Sequence, residues 1–104
     1  MIFRRARFAD LIGRQLELFE REHADLVEQC VAAERVYDGA GRDEAEERYG
    51  EYVDLVEEAT EVLSDIRDAF ERALDEDAAE AYEAAFNKAV KKRLPRFGLE
   101  IDLR

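Results

Sequence analysis

The sequence predicts an all-α protein made of a long antiparallel helical hairpin, a shorter third helix and an extended C-terminal tail. Apolar residues recur with alternating spacings of four and three over two long stretches, the pattern of a heptad seam. Only one proline and five glycines occur in 104 residues, and 41% of the residues are charged, which favours helices over sheets. This length fits a single domain that covers residues 1–104.

The first helix is expected over residues 6–37, where one seam of apolar or small residues continues without a break. Its members are Ile12, Leu16, Phe19, His23, Leu26, Cys30, Ala33 and Tyr37. Gly39 and Gly41 follow, and glycine readily adopts the positive φ with which many helices end. We therefore expect the hairpin turn at these two glycines.

The second helix is expected over residues 43–74 and the third over residues 78–93. Asp43 and Glu46 have the spacing of a capping box, as do Asp77 and Glu80. The second seam contains Ala45, Tyr49, Tyr52, Val56, Ala59, Leu63, Ile66, Phe70 and Ala73. Pro95 ends the third helix, because the residue before a proline avoids helical backbone angles.

The tail, residues 95–104, has a different apolar period. Phe97, Leu99, Ile101 and Leu103 alternate with smaller or polar residues. A period of two is typical of an extended segment with one apolar face. We expect such a segment to lie in a helical groove or to pair with another chain.

The helix lengths predict an open groove near the hairpin turn. A helix of 32 residues spans roughly 48 Å and one of 16 residues only about 24 Å, so the third helix covers half of the hairpin. An exposed groove of that size is unusual in a monomer. We expect either the tail or a second copy to cover it, and a second copy would complete a bundle by dimerisation. The predicted interface comprises Leu26, Val27, Cys30, Tyr37, Tyr49, Tyr52, Val53, Val56, Phe97, Leu99, Ile101 and Leu103.

Charge and cysteine content exclude several classes of function. The net charge is −11, with cations concentrated near the two ends and an acidic middle, so most of the surface repels nucleic acid and anionic lipid. Cys30 is the single cysteine, which excludes an intramolecular disulfide. We find neither a signal-peptide pattern nor a membrane-spanning stretch, and we expect a cytoplasmic protein.

The sharpest hint of chemistry is Glu20 with His23, three residues apart on one helix face. This Glu-x-x-His spacing occurs in carboxylate-bridged di-iron sites, so a ferritin-like metal protein assembled at a dimer interface is the alternative hypothesis. The pattern is frequent by chance among 27 acidic residues, and only one histidine is present. The favoured interpretation assigns no metal ligand, cofactor or catalytic residue.

The favoured function is therefore a non-enzymatic helical bundle that acts through protein–protein contact. A homodimer is the expected partner arrangement, and a different protein partner is also possible in this interpretation. Nucleic acid and membrane are not expected partners.

Overall fold

The computed structural model describes residues 7–104, and this part of the chain is all-helical, without a strand. The helices are α1 Ala9–Glu22, α2 Ala24–Asp38, α3 Ala45–Glu71, α4 Glu76–Arg93 and α5 Gly98–Leu103, with a 3₁₀ turn at Pro95–Phe97. These helices pack on one another, so the all-α prediction is confirmed.

The first predicted helix is divided at His23, which has φ −119° and ψ 30°. Backbone hydrogen bonds approach the break from both sides: His23 N donates to Phe19 O at 2.9 Å, and Val27 N donates to His23 O at 3.1 Å. The imidazole lies over the Phe19 ring, with centroids 5.5 Å apart. The seam prediction of one continuous helix was wrong at this residue, and its predicted start at residue 6 lies outside the described residues.

The helix ends differ from the capping predictions in two places. Gly39 follows α2 with φ −92°, and no glycine among residues 7–104 has a positive φ. Asp43 does not cap α3, which begins at Ala45 without a side-chain cap. Asp75 caps α4 instead of Asp77, because its carboxylate accepts a hydrogen bond from Ala78 N at 2.9 Å.

The tail is helical rather than extended, which corrects the period-two prediction. Leu94 has φ −129° and ψ 62°, so the chain reverses after α4 and enters the 3₁₀ turn and α5. Phe97 and Ile101 lie four residues apart, share one helix face and are almost completely buried. The tail therefore packs back onto its own chain.

The core runs along α1, α3 and α4 and is closed by the tail. It contains Phe8, Ile12, Leu16, Phe19, Cys30, Val56, Ala59, Leu63, Ala78, Tyr82, Phe86, Val90, Leu94, Phe97 and Ile101. The radius of gyration is 15.7 Å, against roughly 13 Å for a compact domain of this size. The molecule measures 52 × 24 × 23 Å, so it is elongated and its surface is large for its core.

Candidate functional site

The predicted interface divides into a buried part and an exposed part. Buried or partly buried residues are Leu26, Val27, Cys30, Tyr52, Val53, Val56, Phe97 and Ile101, whereas Tyr37, Tyr49, Leu99 and Leu103 are exposed. Phe97 packs edge-on against Phe19, with ring centroids 6.1 Å apart. The tail of the same chain thus covers the inner part of the predicted groove.

Arg96 fastens the tail to the α2–α3 pair. Its Nη1 donates to the Tyr52 hydroxyl at 3.0 Å and lies 3.1 Å from Glu34 Oε2. Tyr52 also donates to Glu34 at 3.4 Å, which closes a triangle of polar contacts. A cleft of about 470 Å³ lies beside this triangle, bounded by α2 and by residues 93–97. These contacts hold the position of the tail.

Leu99 and Leu103, the leucine pair, form an unpartnered apolar face on α5. They are 75% and 72% exposed, the highest values among the large apolar residues of the described chain. A separation of two residues is about 200° around an α-helix, so they lie opposite the buried Phe97 and Ile101. Lys91 forms an ion pair with Asp102 and fixes the helix against α4. The two leucines are therefore exposed to solvent on a helix that is itself packed against α4.

A second open surface lies between α1 and α4, and we call it the α1–α4 groove. Its floor includes Ile12 and Leu16, and its volume is about 660 Å³. Its lining residues are Ala9, Ile12, Gly13, Leu16, Ala85, Lys88, Ala89, Lys92 and Arg93. Alanine and glycine leave space between the helices, so the groove is apolar at its base and cationic at its rim.

The cations of this rim differ in how they are held. Arg93 lies 2.8 Å from Glu20 Oε1, and it also reaches the Gly13 carbonyl at 3.5 Å. Lys88 and Lys92 are exposed, and neither has a carboxylate partner within residues 7–104. In a chain with a net charge of −11, this is a local positive rim around an apolar floor.

The tip of the α2–α3 pair carries a smaller apolar surface. The rings of Tyr37 and Tyr49 lie 5.2 Å apart across the pair. They are 36% and 51% exposed, and the neighbouring Val36 is 51% exposed. The two tyrosine rings cover part of each other, so they offer less apolar surface to another molecule than the leucine pair does.

Arg67 is a fully buried cation that the seam prediction missed. Its Nε lies 2.9 Å from Asp68 Oδ1 and 3.8 Å from Glu83 Oε1, and its Nη1 donates to Asn87 at 3.0 Å and to the Ile101 carbonyl at 3.3 Å. A usable signal was present, because Thr60, Ser64 and Arg67 repeat the 4-3 spacing. These three residues are buried beside the apolar seam of α3.

The carboxylates around Arg67 include the one group of three potential metal ligands within 4.8 Å in the described part of the chain: Asp68, Glu71 and Glu83. Burial, followed by repulsion from Glu83, raises the pKa of Glu71 above its usual range, and Arg67 opposes the rise. The guanidinium already supplies a positive charge here. With Arg67 these carboxylates form an ion network between α3 and α4, and Arg67 links it to α5 through the Ile101 carbonyl.

Glu20 and His23, the alternative metal ligands, have other contacts in this fold. The carboxylate of Glu20 faces Arg93, and the imidazole of His23 stacks on Phe19. The group of three potential ligands in residues 7–104 contains neither of them. Within the described part of the chain, no third potential ligand therefore joins this pair.

No helix of residues 7–104 combines the length and the apolarity needed to cross a membrane. Comparison with protein-family models, with curated proteins and with solved structures gives no match to this chain.

Proposed function

We propose that this chain is a non-enzymatic helical protein that acts through protein–protein contact and self-associates as a homodimer in the cytoplasm. The observation that carries the proposal is the leucine pair on α5, with Leu99 and Leu103 both more than 70% exposed. Burial of a leucine side chain is worth about 1.5–3 kcal/mol. Two such side chains one turn apart therefore favour an apolar partner.

The internal contacts support an interaction role over a catalytic one. The buried polar side chains are engaged in the fold: Thr60 donates to the Val56 carbonyl at 2.7 Å, and Ser64 donates to the Glu61 carbonyl at 2.9 Å. Arg67 joins three helices. Within residues 7–104 the fold also leaves apolar surface exposed at the leucine pair, and protein partners cover surface of that kind.

The proposal is tested by measuring mass in solution over a range of concentrations, by sedimentation velocity or light scattering. We expect the unchanged chain to be dimeric and the Leu99→Glu/Leu103→Glu variant to be monomeric. Leu18→Glu is the matched control, because Leu18 is also an exposed leucine, at 47%, but lies on α1. Circular dichroism of each variant verifies that the fold is retained.

Two results would contradict this proposal in different ways. A monomer at all concentrations removes self-association. If the dimer survives the double substitution but is lost in a Tyr49→Glu variant, the dimer interface is at the tip of the α2–α3 pair and not at the leucine pair.

A further inference from the structure

We infer that the dimer forms by reciprocal docking, in which the leucine pair of each copy enters the α1–α4 groove of the other copy. The inference rests on the proposed self-association and names the surface that receives the leucines. The two surfaces are the exposed apolar face of α5 and the apolar groove with the positive rim.

The shapes of the two surfaces match in spacing. Leu99 and Leu103 lie one helical turn apart, and residues at this spacing have Cβ atoms about 5–6 Å apart. The groove presents small residues at the same interval, with Ala85 and Ala89 on α4. Across from them, a Cβ on Gly13 would meet no other atom within 4 Å, so that wall of the groove has open space. Leucine side chains can therefore pass between the helices to the apolar floor.

The charges of the two surfaces are complementary. Glu100 and Asp102 flank the leucine pair along α5, and Glu100 has no cation partner within residues 7–104. Lys88 and Lys92 on the groove rim likewise have no carboxylate partner in that range. Docking would bring the acidic flank of one copy to the basic rim of the other, which selects this pairing in an otherwise acidic protein.

The two surfaces use different flanks of α4, so docking at one does not block the other. The tail approaches α4 at Lys91, where a Cβ on Gly98 would lie 3.3 Å from the Lys91 Cα. The groove uses Ala85 and Ala89, which lie on a different flank of α4. When two copies pair around a two-fold axis, each leucine pair crosses to the groove of the other, so the contact is made twice and no site stays open. The doubling helps to reach the roughly 1,200 Å² of buried surface that a stable interface needs.

Charge reversal tests the pairing. We expect Lys88→Glu/Lys92→Glu and, separately, Glu100→Lys to weaken the dimer, the double variant by about tenfold or more in the dissociation constant. Combining the three substitutions should restore part of the affinity, because the charges of Glu100 and of the two lysines are then exchanged while Asp102 keeps its negative charge. Arg35→Glu/Arg42→Glu is the matched control with the same change in net charge, and both residues are exposed on or beside α2.

Disulfide trapping gives the second measurement. Cys30 is fully buried, so introduced cysteines react without competition from it. A Leu103→Cys variant mixed with an Ala89→Cys variant should form the mixed disulfide faster than either variant forms a disulfide with itself.

The outcomes separate the inference from the proposal on which it rests. A monomeric unchanged chain refutes both. A dimer that is indifferent to the groove substitutions, or that traps Leu103→Cys preferentially with itself, refutes groove docking and leaves self-association standing. Both the self-association and the groove docking are supported if three results are found together. Charge reversal on either surface weakens the dimer, the combined substitutions strengthen it again, and the mixed disulfide forms preferentially.

Discussion

Replacing Arg67 with methionine removes the charge at the centre of the fold while keeping an apolar stem of similar length. Arg67 is 1% exposed and contacts Asp68, Asn87 and the Ile101 carbonyl. Its loss removes a hydrogen bond between α3 and α5 and leaves the carboxylates of the cluster without their cation. We expect the methionine variant to fold but to be clearly less stable.

The magnitude follows from the exposure of the partners. Removing one member of a fully buried ion pair costs about 3–5 kcal/mol. The side chains of Asp68 and Glu83 are 47% and 46% exposed, so water can rehydrate them and reduce this cost. The carbonyl of Ile101 is buried, and the loss of a hydrogen bond to a charged donor costs about 1.5–3 kcal/mol. We expect a loss of about 2–3 kcal/mol in the free energy of unfolding.

Urea denaturation followed by circular dichroism at neutral pH measures this loss. In thermal unfolding it corresponds to a decrease in Tm of roughly 10–20 °C. Arg21→Met is the control, because Arg21 makes a single exposed pair with Glu17 at 3.5 Å and should cost below about 0.5 kcal/mol. A methionine variant as stable as the unchanged chain would refute the reasoning. The favourable contacts of Arg67 would then only offset the free-energy cost of removing its charge from water.

Three further predictions test individual positions. Gly98→Ala should destabilise the fold by about 1 kcal/mol, because a Cβ there lies 3.1 Å from the Lys91 Cγ and 3.3 Å from the Lys91 Cα. Gly50→Ala, with open space around it, should stabilise α3 by about 0.5–1 kcal/mol, and equal effects in urea denaturation would contradict the close approach. Glu71→Gln should raise the denaturation midpoint at neutral pH, since the folded-state pKa of Glu71 is raised and its ionised form opposes folding. That gain should vanish below about pH 4, where Glu71 is protonated in the folded and unfolded states alike, and a gain that persists there would refute the assignment. Burial raises the pKa of Cys30, so a thiol reagent should label it only when the chain unfolds, and fast labelling of the folded protein would contradict its burial.

Helix content was predictable because the apolar period extends over many turns, whereas the break at His23 was not. Side chains on either side of a local bend keep the same seam, so the apolar pattern continues through residue 23 unchanged. The backbone angles of His23 show the interruption. Periodicity reports which face is buried and does not report whether the helix axis is continuous.

The tail illustrates a different ambiguity. Apolar residues at 97, 99, 101 and 103 have a period of two. Residues 97 and 101 are also four apart, as are 99 and 103, which is a helical spacing. A strand would place all four on one face, and a helix divides them into two opposite faces. The helix is the conformation found, with one face in the core and the leucine pair outside. The predicted interface therefore contained the exposed leucines for a reason that proved wrong.

The 4-3 spacing of Thr60, Ser64 and Arg67 indicates a second stripe on α3, but it does not identify the partners that allow Arg67 to be buried. A charged residue beside an apolar seam is usually solvated, and its partners Asn87 and Ile101 lie 20 and 34 residues away in the sequence. The contact with Asn87 exists because α4 packs on α3, and the contact with Ile101 exists because the tail folds back. The wider buried stripe of α3, with Thr60 and Ser64, is the sequence feature that accompanies them.

The returning tail also determines the order in which the core can form. The α2–α3 pair joins neighbouring parts of the chain, so its contacts can arise early and locally. The core that contains Cys30 and Val56 is complete, however, only when Phe97 and Ile101 arrive from a distant part of the sequence. During synthesis the chain therefore passes through a stage in which assembled helices still expose an apolar seam. That interval, before residues 97–101 dock, is when the chain is most open to chaperones and to aggregation.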